Sequence, residues 1–322
     1  MNERCIAVDI GGTKIIAAEV TEKGEILHSL RRTMTAAAKR DKLELAAALV
    51  REYEQKFGWS GGTMPPAIGV GYNGIVDPGG GRWTSMFPGD TEEDARGFFE
   101  SALGISCYVD NDVKCTVIAE NEFGAGLKSR DLVYINICTG IAAGMITGGK
   151  LIRGSDGFAG EVGFMQADMD RRSREEKERG FPRDNDIEMF GSGMGLESQF
   201  VHRRREYPDS LLYPMEPQKI TGELVYKTCE KGDAFAGLLV GDLVRAAGTI
   251  ITDITCVLSP ERVVIGGGLV RSEEMRKRIE EAVTQKALSH LEKGIVLTGL
   301  DTDFAGLMGA AAIGLGYQEM YG

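Results

Sequence analysis

Histidine, paired cysteines and long apolar runs are scarce in this chain, and each scarcity excludes a class of function. The three histidines among 322 residues are widely spaced, so a zinc site has few of its usual ligands. The six cysteines form no C-x-x-C pair, which favours buried free thiols in a reducing compartment. The longest apolar stretch, Phe304–Tyr317, is too short to cross a bilayer, so we expect no membrane partner.

Positively charged residues are fewer than negatively charged ones. The chain carries 37 Lys and Arg against 48 Asp and Glu, a net charge of −11, which argues against a nucleic acid as the main partner. A small phosphorylated ligand is still compatible with this charge, because a few backbone N–H groups can hold phosphates on an acidic protein. The segment Met1–Ile10 reads directly as a strand without a charged leader, which predicts a cytoplasmic protein without a signal peptide.

The apolar pattern predicts one order of elements twice: three strands joined by tight turns, then alternating helices and strands. In the first copy the predicted strands are Cys5–Ile10, Lys14–Thr21, Glu25–Arg32, Ala67–Gly71 and Cys107–Asp110, and the helices are 41–57, 92–103 and 111–123. In the second copy the strands are Leu132–Cys138, Ala143–Thr147, Lys150–Arg153, Arg262–Gly266 and Ile295–Leu300, and the helices are 235–258, 272–288 and 304–315. We therefore expect an α/β fold of two similar lobes with a ligand cleft between them.

The turn between the first two strands, Asp9-Ile10-Gly11-Gly12-Thr13-Lys14, has the residues of a phosphate-binding hairpin. The glycines let the backbone approach a ligand closely, and successive N–H groups in such a turn form an anion-binding concavity. Thr13 adds a hydroxyl, Lys14 a positive charge, and Asp9 a carboxylate that could hold Mg²⁺ through water. An ordinary hairpin explains the same letters, so the motif alone leaves both interpretations open.

The triplet Asp110-Asn111-Asp112 joins a predicted buried strand to a helix. Asp and Asn are preferred helix N-caps, so capping alone accounts for one of the three residues. The others are then available for a ligand, and an aspartate here could accept the proton of a hydroxyl that attacks a γ-phosphate. Phosphoryl transfer needs little beyond positioning, such a base and charge neutralisation.

Further candidate segments lie in the second half of the chain. Thr139-Gly140 follows a strand, and Gly266-Gly267-Gly268 offers bare backbone against which adenine or ribose could lie, although a plain turn explains the triplet equally well. Glu161 and Glu188 each neighbour glycine-rich stretches, and carboxylates accept hydrogen bonds from sugar hydroxyls; most such residues are merely solvated. The charged segment 168–186 is predicted to be a solvated surface loop or exposed helix, with a mobile element near the cleft as the alternative.

Taken in order, these motifs resemble those of the ROK family of bacterial sugar kinases and related repressors, over almost the whole chain. Asp9–Lys14 is similar to the family's phosphate motif, Thr139-Gly140-Ile141 to its second phosphate motif, and Asp110-Asn111-Asp112 to the stretch that holds the catalytic aspartate. The loop 69–77 is similar to the sugar-side loop. Arg153-Gly154, Gly160-Glu161-Val162-Gly163 and Gly266-Gly267-Gly268-Leu269 follow in family order.

The resemblance implies two RNase H-like lobes of the actin-like ATPase type around a central cleft, each built as βββαβαβα. It implies an N-terminal lobe of residues 1–118, completed by a C-terminal helix at 303–322, and a second lobe of residues 119–302. It further implies a homodimer that uses ATP and Mg²⁺ to phosphorylate a hydroxyl of a hexose or amino sugar. Asp112 is then the catalytic base, and the implied sugar contacts are Asn73, Gly74, Asn111, Asp112, Glu161 and Glu188.

The chain also departs from the family pattern. Phe164 occupies the position of the usual histidine in Glu-x-Gly-His, which binds both the sugar and a structural zinc. The family's zinc knuckle is missing, with the charged segment 168–186 in its place, so we predict a protein without zinc. Cys138 and Ala142 replace glycines of the second phosphate loop, and Lys114 is an unusual residue so close to the base.

Two functions from different classes follow. The intact Gly-Gly-Thr-Lys turn and Asp112 favour an active sugar kinase. Phe164 favours a non-catalytic sugar-binding sensor or regulator, although no helix-turn-helix precedes the first strand, as it does in family repressors. A kinase acting on a non-hexose polyol is a third hypothesis.

Overall fold

The structure is a computed structural model that describes residues 3–34, 38–79, 81–84, 91–167 and 186–322. Its strands are β1 (Arg4–Ile10), β2 (Lys14–Thr21), β3 (Ile26–Thr33), β4 (Ala67–Tyr72), β5 (Arg82–Trp83), β6 (Glu93–Asp94), β7 (Ser106–Asn111), β8 (Leu132–Ile137), β9 (Ile141–Thr147), β10 (Lys150–Leu151), β11 (Arg262–Gly266) and β12 (Ile295–Leu297). Its α-helices are α1 (Lys39–Phe57), α2 (Ala95–Leu103), α3 (Asp112–Phe123), α4 (Glu188–Gly191), α5 (Gly193–Arg203), α6 (Gly222–Cys229), α7 (Ala234–Leu258), α8 (Glu273–Ala282), α9 (Gln285–Leu288) and α10 (Ala305–Gly314).

Two five-stranded sheets share one topology. The first has the order β3-β2-β1-β4-β7 and the second the order β10-β9-β8-β11-β12. In each, an antiparallel meander of three strands is extended by two further strands on the side of the first strand. In the first sheet β1 pairs in parallel with β4, and β4 with β7; in the second β11 pairs in parallel with β12. This repeat confirms the predicted duplicated α/β fold.

Contacts divide the chain into two compact units. Unit 1 comprises Met1–Tyr134, Gly144–Gly160 and Thr298–Gly322, and unit 2 comprises Ile135–Ala143 and Glu161–Leu297. The assignment of residues 1–118 with 303–322 and of residues 119–302 to two RNase H-like lobes stays a prediction.

Most predicted strands and helices occur within a few residues of their expected bounds, but three predictions were wrong in detail. The strand expected at Ile295–Leu300 ends at Leu297. The helix expected at 272–288 is broken into α8 and α9, because Val283 is extended and the Thr284 hydroxyl accepts from Ala287 N–H to begin a new helix. The strand expected at Lys150–Arg153 ends at Leu151. The Arg153 side chain instead forms an ion pair with Asp110.

The core of unit 1 explains why β1 is apolar along its whole length. Ile6, Val8 and Ile10 belong to a cluster that includes apolar residues of α1 and α2. On the opposite face the Cys5 thiol lies 3.5 Å from the Ala311 carbonyl oxygen of α10. A strand with helices on both faces has no solvated side, so the alternation of polar and apolar residues is lost.

The approach of α10 to the sheet requires glycine. A Cβ built on Gly69 of β4 would lie 1.9 Å from the Ala310 carbonyl oxygen and 2.6 Å from the Gly314 amide nitrogen. Such distances are far below van der Waals contact, so helix and strand pack backbone to backbone here. The rest of α10 is buried almost throughout, which accounts for its Gly- and Ala-rich sequence.

Helix α7 is the only helix among the described residues that is long and apolar enough to cross a membrane by length and composition. Of its most apolar 18-residue window, 67% is buried inside the protein, which is the pattern of a core helix. It begins at a local signal, since the Asp233 carboxylate accepts from Ala236 N–H at 2.9 Å.

We expect Gly69→Ala to lower the free energy of unfolding by about 1–3 kcal/mol or more, because an added methyl group in a closed site forces backbone shifts. Gly237→Ala is the matched control: it lies inside α7 with open space around the missing Cβ. Alanine there should be neutral or stabilising by up to about 1 kcal/mol. Chemical denaturation measures both, and equal effects would contradict the packing described for α10.

Candidate active site

Three neighbouring strands of unit 1 end in one row. The last pairs in register are Ile10 with Tyr72 and Tyr72 with Asn111. The next residues, Gly11, Asn73 and Asp112, therefore leave the same edge of the sheet. Ligands of α/β proteins commonly bind beyond the carboxyl ends of such strands. Local motifs that are far apart in sequence are brought to one edge in this way.

The Gly-Gly turn between β1 and β2 is tight and exposed. Gly11 N–H donates to the Lys14 carbonyl oxygen at 3.0 Å, which closes the hairpin. Gly12 and Thr13 are exposed, and a Cβ on Gly12 would meet nothing within 4 Å. Packing within unit 1 therefore does not demand glycine at position 12. Free access of a ligand to the backbone is a reason for glycine that fits this geometry, and phosphate binding by the turn stays a prediction.

Asp9 is the buried carboxylate of this region. Burial raises its pKa to about 6, while the charges of Lys14 and Arg31 act in the opposite direction. A Cβ on Gly306, at the start of α10, would lie 2.8 Å from the Asp9 carboxylate, so glycine there lets the helix N-terminus approach it. A carboxylate with so little solvation suits a cation, and Mg²⁺ is commonly held by one or two carboxylates with water and phosphate.

Asn111 is occupied by two structural tasks at the start of α3. Its Oδ1 accepts from the Val113 and Lys114 N–H groups, both at 3.0 Å, and so caps the helix. Its Nδ2 donates to the Gly74 carbonyl oxygen at 2.9 Å, and so holds the loop after β4. The first helical residue, Asp112, is half-buried, and its Oδ1 also accepts from Val113 N–H at 2.9 Å. The predicted sugar contact of Asn111 is untested by this geometry.

Two side chains that sequence reasoning gave no role hold the same region. Arg153 Nε donates to Asp110 Oδ2 at 2.8 Å, and Arg153 also donates to the Gly322 carbonyl oxygen at 3.3 Å. The Lys114 ammonium donates to the Gly157 carbonyl oxygen at 2.8 Å. In the sequence, the Arg153-Gly154 motif was the signal that could have indicated a role for Arg153. The unusual position of a lysine two residues after Asp112 was the signal for Lys114.

In unit 2 the Thr139-Gly140 segment is built around a buried carboxylate. Glu188, at the start of α4, is 6% exposed, and its Oε2 accepts from Ile141 N–H at 2.8 Å. A Cβ on Gly140 would lie 2.6 Å from the same oxygen, and one on Gly163 would lie 2.9 Å from it. Glu188 thus fixes the backbone of a predicted phosphate loop. The sequence predicted Glu188 only as a sugar contact and did not indicate this structural role.

The glycine triplet of unit 2 also has a defined geometry. Gly267 has a φ of +100°, and a Cβ there would lie 2.3 Å from the Ile137 carbonyl oxygen at the end of β8. Leu269 N–H donates to that same oxygen at 3.2 Å. The triplet is therefore a fixed turn against the end of β8, and its contact with a nucleotide stays a prediction.

The remaining predicted sugar contacts lie in loops of both units. Asn73 is exposed, and Gly74 has a φ of +137°, which favours glycine. Glu161 is half-buried and precedes a turn of 3₁₀ helix, Val162–Phe164, in which Phe164 N–H donates to the Glu161 carbonyl oxygen at 3.2 Å. The distances do not test whether these residues contact a sugar.

The prediction of a protein without zinc is not decided by the structure. Within the residues described, no group of three or more His, Cys, Asp or Glu side chains is placed to hold a metal ion. Except for its last residue, Asp186, the charged segment 168–186 lies outside the described residues.

We expect Asp9→Asn to stabilise the protein above about pH 6. Folding raises the pKa of Asp9 from 3.8 to about 6, so an ionised Asp9 costs up to about 3 kcal/mol of folding free energy. Well below pH 3.8 the wild-type carboxyl is protonated in both states, and ionisation of Asp9 then contributes nothing to the difference between the two proteins. The difference should grow as the pH rises from 4 to 6 and then stay constant.

Denaturant titrations from pH 4 to pH 8 measure this difference. Asp209→Asn, which removes an exposed carboxylate, is the control for the loss of one negative charge. An Asp9→Asn curve parallel to that of the wild type would contradict the assigned burial cost.

Comparisons with known proteins identify the family of the chain. The ROK family model matches residues 5–316. A glucokinase of Thermotoga maritima is 27% identical over 320 residues, covering 96% of both chains. An N-acetylmannosamine kinase of Yersinia pseudotuberculosis is 26% identical, covering 95% of this chain and 96% of that protein.

A solved structure extends the agreement to the fold. The ROK family glucokinase of Streptomyces griseus, in complex with glucose and AMPPNP, matches with a TM-score of 0.75 and 25% identity, covering 97% of this chain and 99% of that one. The motifs, the repeated sheet order and the family match along almost the whole chain all agree. The chain therefore belongs to the ROK family.

Proposed function

We propose that this protein is an ATP-dependent kinase that transfers the γ-phosphoryl group of ATP to a hydroxyl of a hexose or amino sugar. The observation that carries the proposal is the half-buried Asp112 carboxylate at the start of α3, on the same sheet edge as the Gly11-Gly12 turn. The kinase relatives support the reaction class, and the glucose complex of one of them supports a sugar as the acceptor.

In the proposed reaction Asp112 is the catalytic base. The sugar hydroxyl attacks the γ-phosphorus, its proton passes to the Asp112 carboxylate, and the bond between the γ-phosphorus and the β–γ bridging oxygen breaks to release ADP. Such a transfer depends mainly on positioning and charge neutralisation. Asn111 accepts from both the Val113 and Lys114 N–H groups, so the cap of α3 does not depend on the Asp112 carboxylate, although Asp112 Oδ1 also accepts from Val113 N–H.

The phosphates of ATP are assigned to backbone N–H groups and one lysine. Gly11, Gly12, Thr13 and Lys14 form the proposed first phosphate site. Asp9 would hold Mg²⁺, and the ion would supply positive charge that neutralises the phosphates. Thr139-Gly140 forms the second phosphate site, and Gly266-Gly267-Gly268 lies against the nucleoside. The exposed Gly12 backbone and the Glu188-supported Ile141 amide support these assignments.

The sugar is assigned to side chains and backbone of the loops. Asn73, Gly74, Asn111, Glu161 and Glu188 are the proposed contacts, together with Asp112. The proposal further includes RNase H-like lobes at 1–118 with 303–322 and at 119–302, a cytoplasmic homodimer, and no zinc, nucleic acid or membrane as partner.

A second candidate function is sugar binding without turnover, as in a sensor or regulator. It is favoured by Phe164, an apolar ring at the position where the family has a sugar-binding histidine. It shares the proposed sugar contacts and differs from the kinase in the fate of ATP.

We expect ADP release with Mg·ATP and at least one sugar from a panel of hexoses, hexosamines and N-acetyl sugars. With that sugar, Asp112→Asn should lower kcat by at least about 100-fold, because the base is lost, while sugar binding changes little. Asp209→Asn is the control and should keep wild-type kcat. Sugar binding without ADP release would favour the sensor, and full turnover by Asp112→Asn would remove Asp112 as the base.

We expect the two functions of Glu188 to separate by substitution. Glu188→Ala leaves the Ile141 N–H unpaired in a buried site, at a cost of about 1–3 kcal/mol in unfolding free energy, and should raise the KM for ATP by about 10-fold. Glu188→Gln keeps an oxygen that can accept from Ile141 N–H, so it should keep both the stability and the KM for ATP. The KM for the sugar should rise in both variants. Steady-state kinetics with each substrate varied measures these KM values. A wild-type KM for ATP in Glu188→Ala would contradict the proposed support of the phosphate loop by Glu188.

A further inference from the structure

Lys114 is a buried cation that the proposed reaction does not use. It lies in the first turn of α3, two residues after Asp112, and is 2% exposed. Lysine is almost never fully buried, because removing an ammonium group from water is strongly unfavourable unless it gains polar contacts. A packing role alone would be met at lower cost by an apolar side chain of similar length, so a specific task for the ammonium group is indicated.

The ammonium group of Lys114 contacts a loop of unit 1. This loop leads to Glu161, a proposed sugar contact. Lys114 Nζ donates to the Gly157 carbonyl oxygen at 2.8 Å. Gly157 has a φ of +87°, and a Cβ there would lie 2.2 Å from the Val76 carbonyl oxygen. The loop at Gly157 is thus pressed against the loop that follows Asn73-Gly74. From Gly157 the chain runs through three residues to Glu161.

Both ends of this short loop are tied to the start of α3. Arg153 begins the loop and pairs with Asp110, which lies two residues before Asp112. Lys114, two residues after Asp112, holds Gly157. Together with the bond from Asn111 to the Gly74 carbonyl oxygen, these contacts attach two sugar-side loops to the strand–helix junction that carries the proposed base.

We propose that Lys114 is a positioning residue for sugar recognition: its ammonium group anchors the Gly157 carbonyl and thereby fixes the segment 157–160 that leads to Glu161. The effect on kinetics rests on the proposed kinase function, whereas the anchoring itself does not. Lys114 acts through the loop and leaves the phosphate turn at Gly11-Gly12 unaffected. Its loss should therefore weaken the sugar more than ATP.

The test compares Lys114→Met, Lys114→Arg and the control Lys150→Met in the full-length protein. Methionine keeps most of the side-chain volume and removes the charge and the hydrogen bond, and replacing a buried ion by an apolar group is often tolerated. Arginine keeps a charged donor. Lys150 is an exposed lysine of β10. Lys114→Gln replaces the methionine variant if that protein does not fold.

Hydrogen exchange of the amides in 154–160 is the first measurement and needs no substrate. We expect exchange at least 10-fold faster in Lys114→Met than in the wild type, partial recovery in Lys114→Arg, and no change in Lys150→Met. Wild-type exchange in this segment of Lys114→Met would overturn the anchor, and so would equally faster exchange across the whole of unit 1, which a general loss of stability would produce.

The second measurement is steady-state kinetics with the sugar found for the wild type. We expect the KM for the sugar to rise at least 10-fold in Lys114→Met, the KM for ATP to stay within twofold, and kcat to fall by less than the KM for the sugar rises. Lys114→Arg should recover part of the sugar KM. Equal changes in both KM values, or a change in kcat alone, would overturn the positioning role.

Failure of the kinase function is distinguishable from failure of this inference. A wild-type protein that phosphorylates no sugar overturns the proposed function. Hydrogen exchange then still decides on the anchor, and calorimetric titration of the panel sugars into wild type and Lys114→Met decides on positioning. Weaker binding in the variant supports the role, and equal or undetectable binding in both proteins overturns it.

Discussion

The junction between β7 and α3 is the constraint on which the candidate site depends. Strand and helix meet without a connecting loop, so the helix needs its cap from the last residue of the strand, and Asn111 supplies it. The Nδ2 group of the same side chain donates to the Gly74 carbonyl oxygen. One buried amide therefore caps the helix and also fixes the loop after β4. Asp112 takes its position from this arrangement, because the first residue of a capped helix has little backbone freedom.

Positively charged side chains act on the buried carboxylates near this junction, although the chain as a whole is acidic. The protein carries a net charge of −11, yet Arg153 pairs with buried Asp110 and the charge of Lys14 acts on buried Asp9. The pKa of Asp9 is nevertheless raised to about 6 by burial, so its carboxylate is held in unit 1 at a cost in stability. A buried carboxylate that destabilises the protein without ligand becomes favourable when it binds a cation, so this cost is consistent with the Mg²⁺ role proposed above for Asp9.

Sequence reasoning found the features that are local and missed those that are not. Short apolar segments joined by tight turns indicated the strands, and three consecutive polar residues at 110–112 indicated the helix start. The break at Thr284 was missed because neither glycine nor proline marks it. The bond from Glu188 to Ile141 spans 47 residues, and no period or spacing encodes such a pair. Sequence could therefore name candidate residues, while the tasks that the fold already gives to Asn111 and Glu188 needed coordinates.

The duplication of the sheets does not make their ends chemically equivalent. Asp9 and Asn136 are the last residues but one of the first strand in each repeat. Asp9 is a carboxylate beside the start of α10, whereas the Asn136 amide donates to the Cys138 sulfur at 3.3 Å, and its oxygen lies 2.8 Å from the Cβ position of Gly267. A neutral amide has no net charge to attract a divalent cation, while a desolvated carboxylate does. One backbone pattern thus ends in a buried carboxylate in one repeat and in a neutral amide in the other, which is the difference expected if the Mg²⁺ proposed above binds at the β1–β2 turn.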